Sequence, residues 1–152
     1  MTDFSAGVLS RGIPLPSGGE LITKGDVIHV DSGHANAAAT NNGTPNHPMS
    51  TIDAAINAAT ANNGDIILVA AGHAETLSNA TSLVPDVAGV KIYGLGRGAD
   101  RPTITFDNAA GNIPISAAAV EFHNFLFTVS GTTDVTAGIT ISGADVLLLN
   151  CE

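Results

Sequence analysis

From Ile113 to Asn124 the chain reads I-P-I-S-A-A-A-V-E-F-H-N, and from Ile139 to Asn150 it reads I-T-I-S-G-A-D-V-L-L-L-N. In both stretches apolar residues alternate with polar or small ones, the period of a half-buried strand. At an offset of 26, Ile113 falls on Ile139, Ile115 on Ile141, Ser116 on Ser142, Ala118 on Ala144, Val120 on Val146, Phe122 on Leu148 and Asn124 on Asn150. At an offset of 30, an earlier stretch joins them, with Leu83, Pro85, Asp86, Ala88, Val90, Ile92 and Gly94 on the same seven positions. Each copy is a strand, a corner of small residues, a second strand and a turn. Asn124 and Asn150 suit that turn, because Asn tolerates the left-handed conformation. Such a unit cannot bury its apolar face alone, but stacked in parallel on its neighbours, roughly 4.8 Å apart, it can.

The pattern therefore predicts an all-β fold, a parallel β-helix. Its strands should lie at 65–71, 90–93, 113–115, 120–123, 139–141 and 146–149, with Val90, Val120 and Val146 stacked inside. A β-sandwich is the competing architecture. Seven positions aligned without a gap disfavour it.

Upstream, Gly25 to Asp31 reads as a first strand, with Val27, His29 and Asp31 on one face and Ile28 and Val30 on the other. A polar loop, 32–48, follows, with a turn signal at Asn41-Asn42-Gly43-Thr44. A helix is expected over 51–61, with Ser50 as N-cap, Asp53 at the third helical position and Ile52, Ala55, Ile56 and Ala59 as its apolar stripe. Asn62-Asn63-Gly64 should end it through a left-handed cap. Asp65 to Ala71 is nearly all apolar, as a strand buried on both faces requires. Residues 1–24 keep no sustained period, and Pro14, Pro16 and Ser17-Gly18-Gly19 prevent a long helix, so they read as an extended arm. The expected organisation is an arm, 1–24, and a β-helix domain, 25–152, with the helix closing its N-terminal end.

At 152 residues the chain is one domain, long enough for a continuous core. Trp is absent and aromatic residues make up 4%, which suits a narrow solenoid with small residues at its corners. A formal net charge of −9 argues against nucleic acid or an anionic membrane surface as partner. No apolar run approaches the roughly 18 residues that span a bilayer, and no charged-then-apolar signal sequence opens the chain. Cys151 stands one rung above Phe125 and reads as a small core residue.

Val30-Asp31-Ser32, Asn42-Gly43-Thr44, Pro48-Met49-Ser50-Thr51-Ile52, Ala54-Ala55-Ile56, Gly64-Asp65-Ile66-Ile67-Leu68-Val69 and Gly72-His73-Ala74-Glu75 follow one another in order. Together they resemble the opening of right-handed parallel β-helix proteins of the pectate-lyase-like class. Asn42 stands where that class usually has an acid, and His73-Ala74 replaces its Gly-Tyr step. The class includes polysaccharide lyases and hydrolases and many bacteriophage virion proteins. Phe4 to Pro14 also resembles the F-x-x-G-x-x-S-x-G-x-P arm that begins some phage head and tail proteins. The resemblance implies a non-enzymatic virion protein, a capsid decoration (cement) protein on the phage head, or otherwise a tail component. The partner would be the major capsid protein or another virion protein, and the assembly a homotrimer. Phe4, Val8, Leu9, Arg11, Ile13 and Leu15 would carry the arm's contact.

The residues themselves offer little chemistry. Glycoside hydrolysis needs two carboxylates about 5–9.5 Å apart on one face. The outward columns read Lys91, Glu121, Leu147 and Tyr93, His123, Leu149, with Asp86, Ser116 and Ser142 at the corner. None holds two acids, so Glu121 reads as a solvated face residue. Asp100 and Asp107 flank Arg101 in what reads as a short charge-balanced turn. His29 with Asp31, and His73 with Glu75, could bind zinc only if the two pairs met in space. Gly94-Leu95-Gly96-Arg97-Gly98 resembles a phosphate-cradling run, but no helix is expected after it, so it reads as a turn between rungs. No catalytic residue, metal site or cofactor is expected. The rival function is a tail fibre or tailspike β-helix that binds or cleaves polysaccharide. The strand holding Val146 and Leu148 is expected to present an unpaired edge, to be covered by further chain or by another subunit.

Overall fold

The computed structural model describes residues 8–10, 13–15, 23–131 and 134–152. Within the arm, β1 (Val8–Ser10) and β2 (Ile13–Leu15) pair antiparallel. The body begins with β3 (Val27–Val30), followed by α1 (Ile52–Ala58), β4 (Ile66–Val69) and β5 (Ala74–Leu77). Then come β6 (Lys91–Gly94), β7 (Thr103–Phe106), β8 (Ile113–Ile115) and β9 (Glu121–His123). Last are β10 (Leu126–Val129), β11 (Ile139–Ile141) and β12 (Leu147–Leu149). Every strand pairing in the body is parallel, and the chain winds as a β-solenoid of about 3 turns.

The solenoid has three walls. A five-stranded sheet runs β12-β9-β6-β4-β3, a three-stranded sheet β10-β7-β5, and a two-stranded sheet β11-β8. Register follows the repeat: Lys91 pairs with Glu121 and Glu121 with Leu147, offsets of 30 and 26. Val90 and Val120, just before those strands, are buried, and Val146 packs on the same core. Ile28, Ile67, Ile92 and Phe122 stack in one inward column, with Leu148 above them 37% exposed at the end of the stack.

The three-stranded wall was not expected, and the segment read as a turn around Arg101 contains β7. Its alternation is plain, with Ile104 and Phe106 inward. Its spacing hides it: Ala74 pairs with Thr103 and Thr103 with Leu126, offsets of 29 and then 23. Loops between the walls change length from turn to turn, so a single offset cannot align all three. Arg101 itself reaches Glu152 and donates to the carbonyl of Asn150 at 3.3 Å.

The corners repeat as well as the strands. Asn62, Gly89, Ala119 and Asp145 have φ of 57°, 77°, 56° and 56°. The amides of Asn62, Gly89 and Ala119 donate one rung up to the carbonyls of Ala88, Ala118 and Ala144. Asn124 and Asn150, at the other corner, have φ of 67° and 54°, as their identity predicts. The Asn124 side-chain amide donates to the carbonyls of Gly94 and Gly96, fixing the turn below it. The glycine-rich run 94–98 is a link between rungs, and it leads into a single 3-10 turn, Gly98–Asp100.

At the first-strand end, β3 is covered rather than open. Its His29 amide donates to the carbonyl of Gly43, the Asp31 amide just after the strand to that of Met49, and the Met49 amide back to that of His29. The polar loop thus returns along the strand and buries Met49. Helix α1 packs on β3 and β4 through Ile52, Ala55 and Ile56. Its N-cap is Thr51, whose hydroxyl accepts from the Ala54 amide at 3.2 Å, not Ser50. It ends at an extended Ala59, ahead of the left-handed Asn62 and Gly64, which shape the next turn instead.

Candidate functional site

Both faces of the five-stranded sheet carry apolar side chains. Inward lie the core columns. Outward, from β3 to β12, one column is Val27, Ile66, Lys91, Glu121, Leu147 and the other is His29, Leu68, Tyr93, His123, Leu149. At the centre, Glu121 accepts from Lys91 Nζ at 3.1 Å on one carboxylate oxygen. Its other oxygen lies 2.8 Å from His123 Nε2. The His123 ring stacks on Tyr93, with centroids 4.3 Å apart and planes 19° from parallel.

Glu121 is therefore not the solvated face residue its sequence suggests; its side chain is only 22% exposed. Burial alone would raise its carboxyl above the ordinary value. Hydrogen bonds from His123 and Lys91, with their charges, outweigh that and hold it below. The register alone placed these residues side by side, because Lys91–Glu121 and Tyr93–His123 are one-rung neighbours in their columns. What the sequence did not reveal is that they bond across columns as one group. The i,i+2 spacing of Glu121 and His123 on one strand face is the signal that would have found it. At the lower edge of the same face, burial lowers the His29 imidazole.

The two histidine–carboxylate pairs do not converge. His29 points outward from β3, and the Asp31 carboxylate accepts from the Gly33 amide. His73 is buried, with Nδ1 accepting from the Ser32 amide at 3.0 Å and Nε2 against Glu75 Oε1 at 2.8 Å. Since Nδ1 accepts from a backbone N–H, the ring proton of this tautomer sits on Nε2 and is donated to Glu75. The same Glu75 oxygen accepts from the Ile52 amide, at the start of α1. This pair ties the helix and the loop after β3 to the three-stranded wall. Among the described residues no group of three or more histidine, cysteine or acidic side chains is placed to hold a metal ion.

Of the arm residues expected to make contact, Val8 and Leu9 lie in β1 and Ile13 and Leu15 in β2, with Val8 opposite Leu15. Phe4 and Arg11 lie outside the described residues. Cys151 sits where its rung position predicts, partly buried on the core above Phe125. No protein-family model, curated protein or solved structure matches the chain.

Proposed function

We propose that this protein is a non-enzymatic structural component of a bacteriophage virion, a capsid decoration protein whose solenoid is the rigid body and whose arm, 1–24, is the attachment. One observation carries the reading most directly. The acid that stands at the centre of the broadest outward face, Glu121, is engaged by Lys91 and His123 rather than set opposite a second carboxylate. A face of that kind suits packing better than sugar hydrolysis. The resemblance of Phe4–Pro14 to phage head and tail arms supports attachment through that segment, and the resemblance of the body to β-helix virion proteins supports a threefold assembly.

The test is deletion of residues 2–18 followed by particle binding. Loss of binding by a folded variant is the expected result; unchanged affinity would move the attachment to the body. A second reading has one feature in its favour, the stacked Tyr93 and His123 beside Glu121, because aromatic faces also receive sugar rings. Release of reducing ends from capsular polysaccharide, abolished by Glu121→Gln, would establish it over the structural role.

A further inference from the structure

We infer that the loop covering the first strand, residues 32–48, is held by an acid-sensitive latch: a second proton on His73 expels the Ser32 amide and frees the start of the loop, while the solenoid beneath stays folded. The inference goes beyond the virion reading and does not depend on it. What the latch guards is the outer edge of β3, whose His29 and Asp31 amides are occupied by the carbonyls of Gly43 and Met49.

The geometry fits one protonation state. His73 Nδ1 accepts from the Ser32 amide at 3.0 Å, and Nε2 lies 2.8 Å from Glu75 Oε1. The side chain is 0% exposed, so both ring nitrogens are committed within the chain. A proton added at Nδ1 turns that nitrogen from acceptor to donor and sets N–H against N–H. One of the two bonds has to break. The Glu75 contact strengthens, because an imidazolium beside a carboxylate makes a charge-assisted bond. The Ser32 contact gains nothing, and Ser32 is exposed, so its amide can turn to water. The break therefore falls at the first residue of the loop.

The loop itself is composed to respond to the same change. Residues 32–48 contain no Asp, Glu, Lys or Arg, and their titratable side chains are His34 and His47. His34 Nδ1 accepts from the Asn36 amide at 3.1 Å, which again requires an unprotonated nitrogen. His29, whose backbone holds Gly43 and Met49, has its imidazole lowered by burial, so the fold favours its neutral ring. The stability this contributes is present above the ordinary imidazole value and is lost as pH falls toward the lowered one. Four of the five histidines thus lie in this loop, under it or at its anchor. The charges around His73 act with the latch. Glu75 is in contact, with Asp53 of α1 and Asp86 beyond it, and the Asp31 carboxylate accepts from the Gly33 amide. On the next rung Asp100 is exposed and Arg101 engages Glu152. The acids favour the imidazolium, and the cation is held elsewhere.

NMR of the full chain from about pH 8 to about pH 5 tests the latch, a range that spans the ordinary imidazole value and stays above the ordinary carboxylate values. As the His73 ring nitrogens report protonation, the Ser32 amide resonance should move with the same midpoint. Its exchange protection should fall roughly tenfold, about the net contribution of one hydrogen bond. The amides of Ile67, Ile92 and Phe122, in the core column, should keep their positions. His73→Asn keeps an acceptor toward Ser32 that no proton converts in this range, and should abolish the Ser32 movement. Asp53→Asn removes a nearby carboxyl that burial raises, and should leave the movement intact. A His73 ring that takes its proton with Ser32 unmoved, or that stays neutral down to pH ~5, would overturn the inference. So would core amides that shift together with Ser32, or a Ser32 movement that survives in folded His73→Asn or disappears in folded Asp53→Asn. Should either variant not fold, the ring and amide midpoints of the wild type decide alone.

Discussion

Gly89 and Ala119 occupy the same corner of consecutive rungs in the same left-handed conformation, with φ of 77° and 56°, and the Gly89 amide donates to the carbonyl just before Ala119 at 3.0 Å. A glycine reaches that region freely. An alanine does so against its Cβ, at a cost of roughly 1–2 kcal/mol. Ala119→Gly should therefore stabilise the protein by about 1 kcal/mol, less the added chain entropy of glycine in the unfolded state. Denaturant melts check it, and a drop in stability would mean that the methyl group makes a contact outweighing the strain.

Asp65 is 1% exposed, and its carboxylate accepts from the Asp26 amide at 2.8 Å, the Thr60 amide at 2.6 Å and the Asn63 side chain at 2.8 Å. Burial pushes this carboxyl up, but the hydrogen bonds reverse the effect and hold it below its ordinary value. A depressed carboxyl contributes stability that is present above its unfolded value, about pH 4, and is lost as pH falls through the folded one. Asp65→Asn should cost about 1.5–3 kcal/mol at pH 7, and the gap from wild type should close below pH ~4. Melts at pH 7 and pH 3 measure both. A constant gap would assign the loss to packing rather than charge.

Asp53 has the opposite sign. Burial raises its carboxyl, and the charges of Asp86 and Glu75 add to that, against hydrogen bonds from the Val84 amide and Asn57. Its ionised form is penalised in the fold, so the stability it contributes is present below its ordinary value and lost as pH rises through the raised one. Asp53→Asn keeps an oxygen for the Val84 amide, 2.9 Å away, and removes the repulsion. It should stabilise the protein by about 0.5–1 kcal/mol at pH 7 and not at pH 3. Destabilisation at both pH values would show that the Asn57 contact dominates, and destabilisation at pH 7 alone that the helix dipole does.

Glu75 receives both the His73 ring and the Ile52 amide on one oxygen, at 2.8 and 2.5 Å. Glu75→Ala leaves two buried donors without a partner, at about 1–3 kcal/mol each. The expected loss is about 2–4 kcal/mol, with faster hydrogen exchange concentrated in α1 and the loop after β3. Loss spread evenly over the solenoid would contradict the role of this carboxylate as a local tie.

The sequence by itself determined the solenoid and the register of three of the five strands in its broadest wall, β6, β9 and β12, with the inward column of Val90, Val120 and Val146. Side-chain period is a local property, and the shared order of strand, small-residue corner, strand and turn lets Lys91, Glu121 and Leu147 be aligned although their offsets differ, 30 and then 26. It determined the left-handed corners at Asn124 and Asn150 too, because residue type alone sets that tolerance. The tertiary structure alone decided the three-stranded wall, where Ala74, Thr103 and Leu126 stand at offsets of 29 and 23 with no shared corner or turn residues to align them. It decided the helix cap as well, since Ser50 and Thr51 have equivalent capping chemistry and the path of the chain chooses between them. The grouping of Lys91, Glu121, Tyr93 and His123 belongs to the same class. Sequence places them in columns, but only the distance between columns on the folded sheet makes one bonded cluster of them.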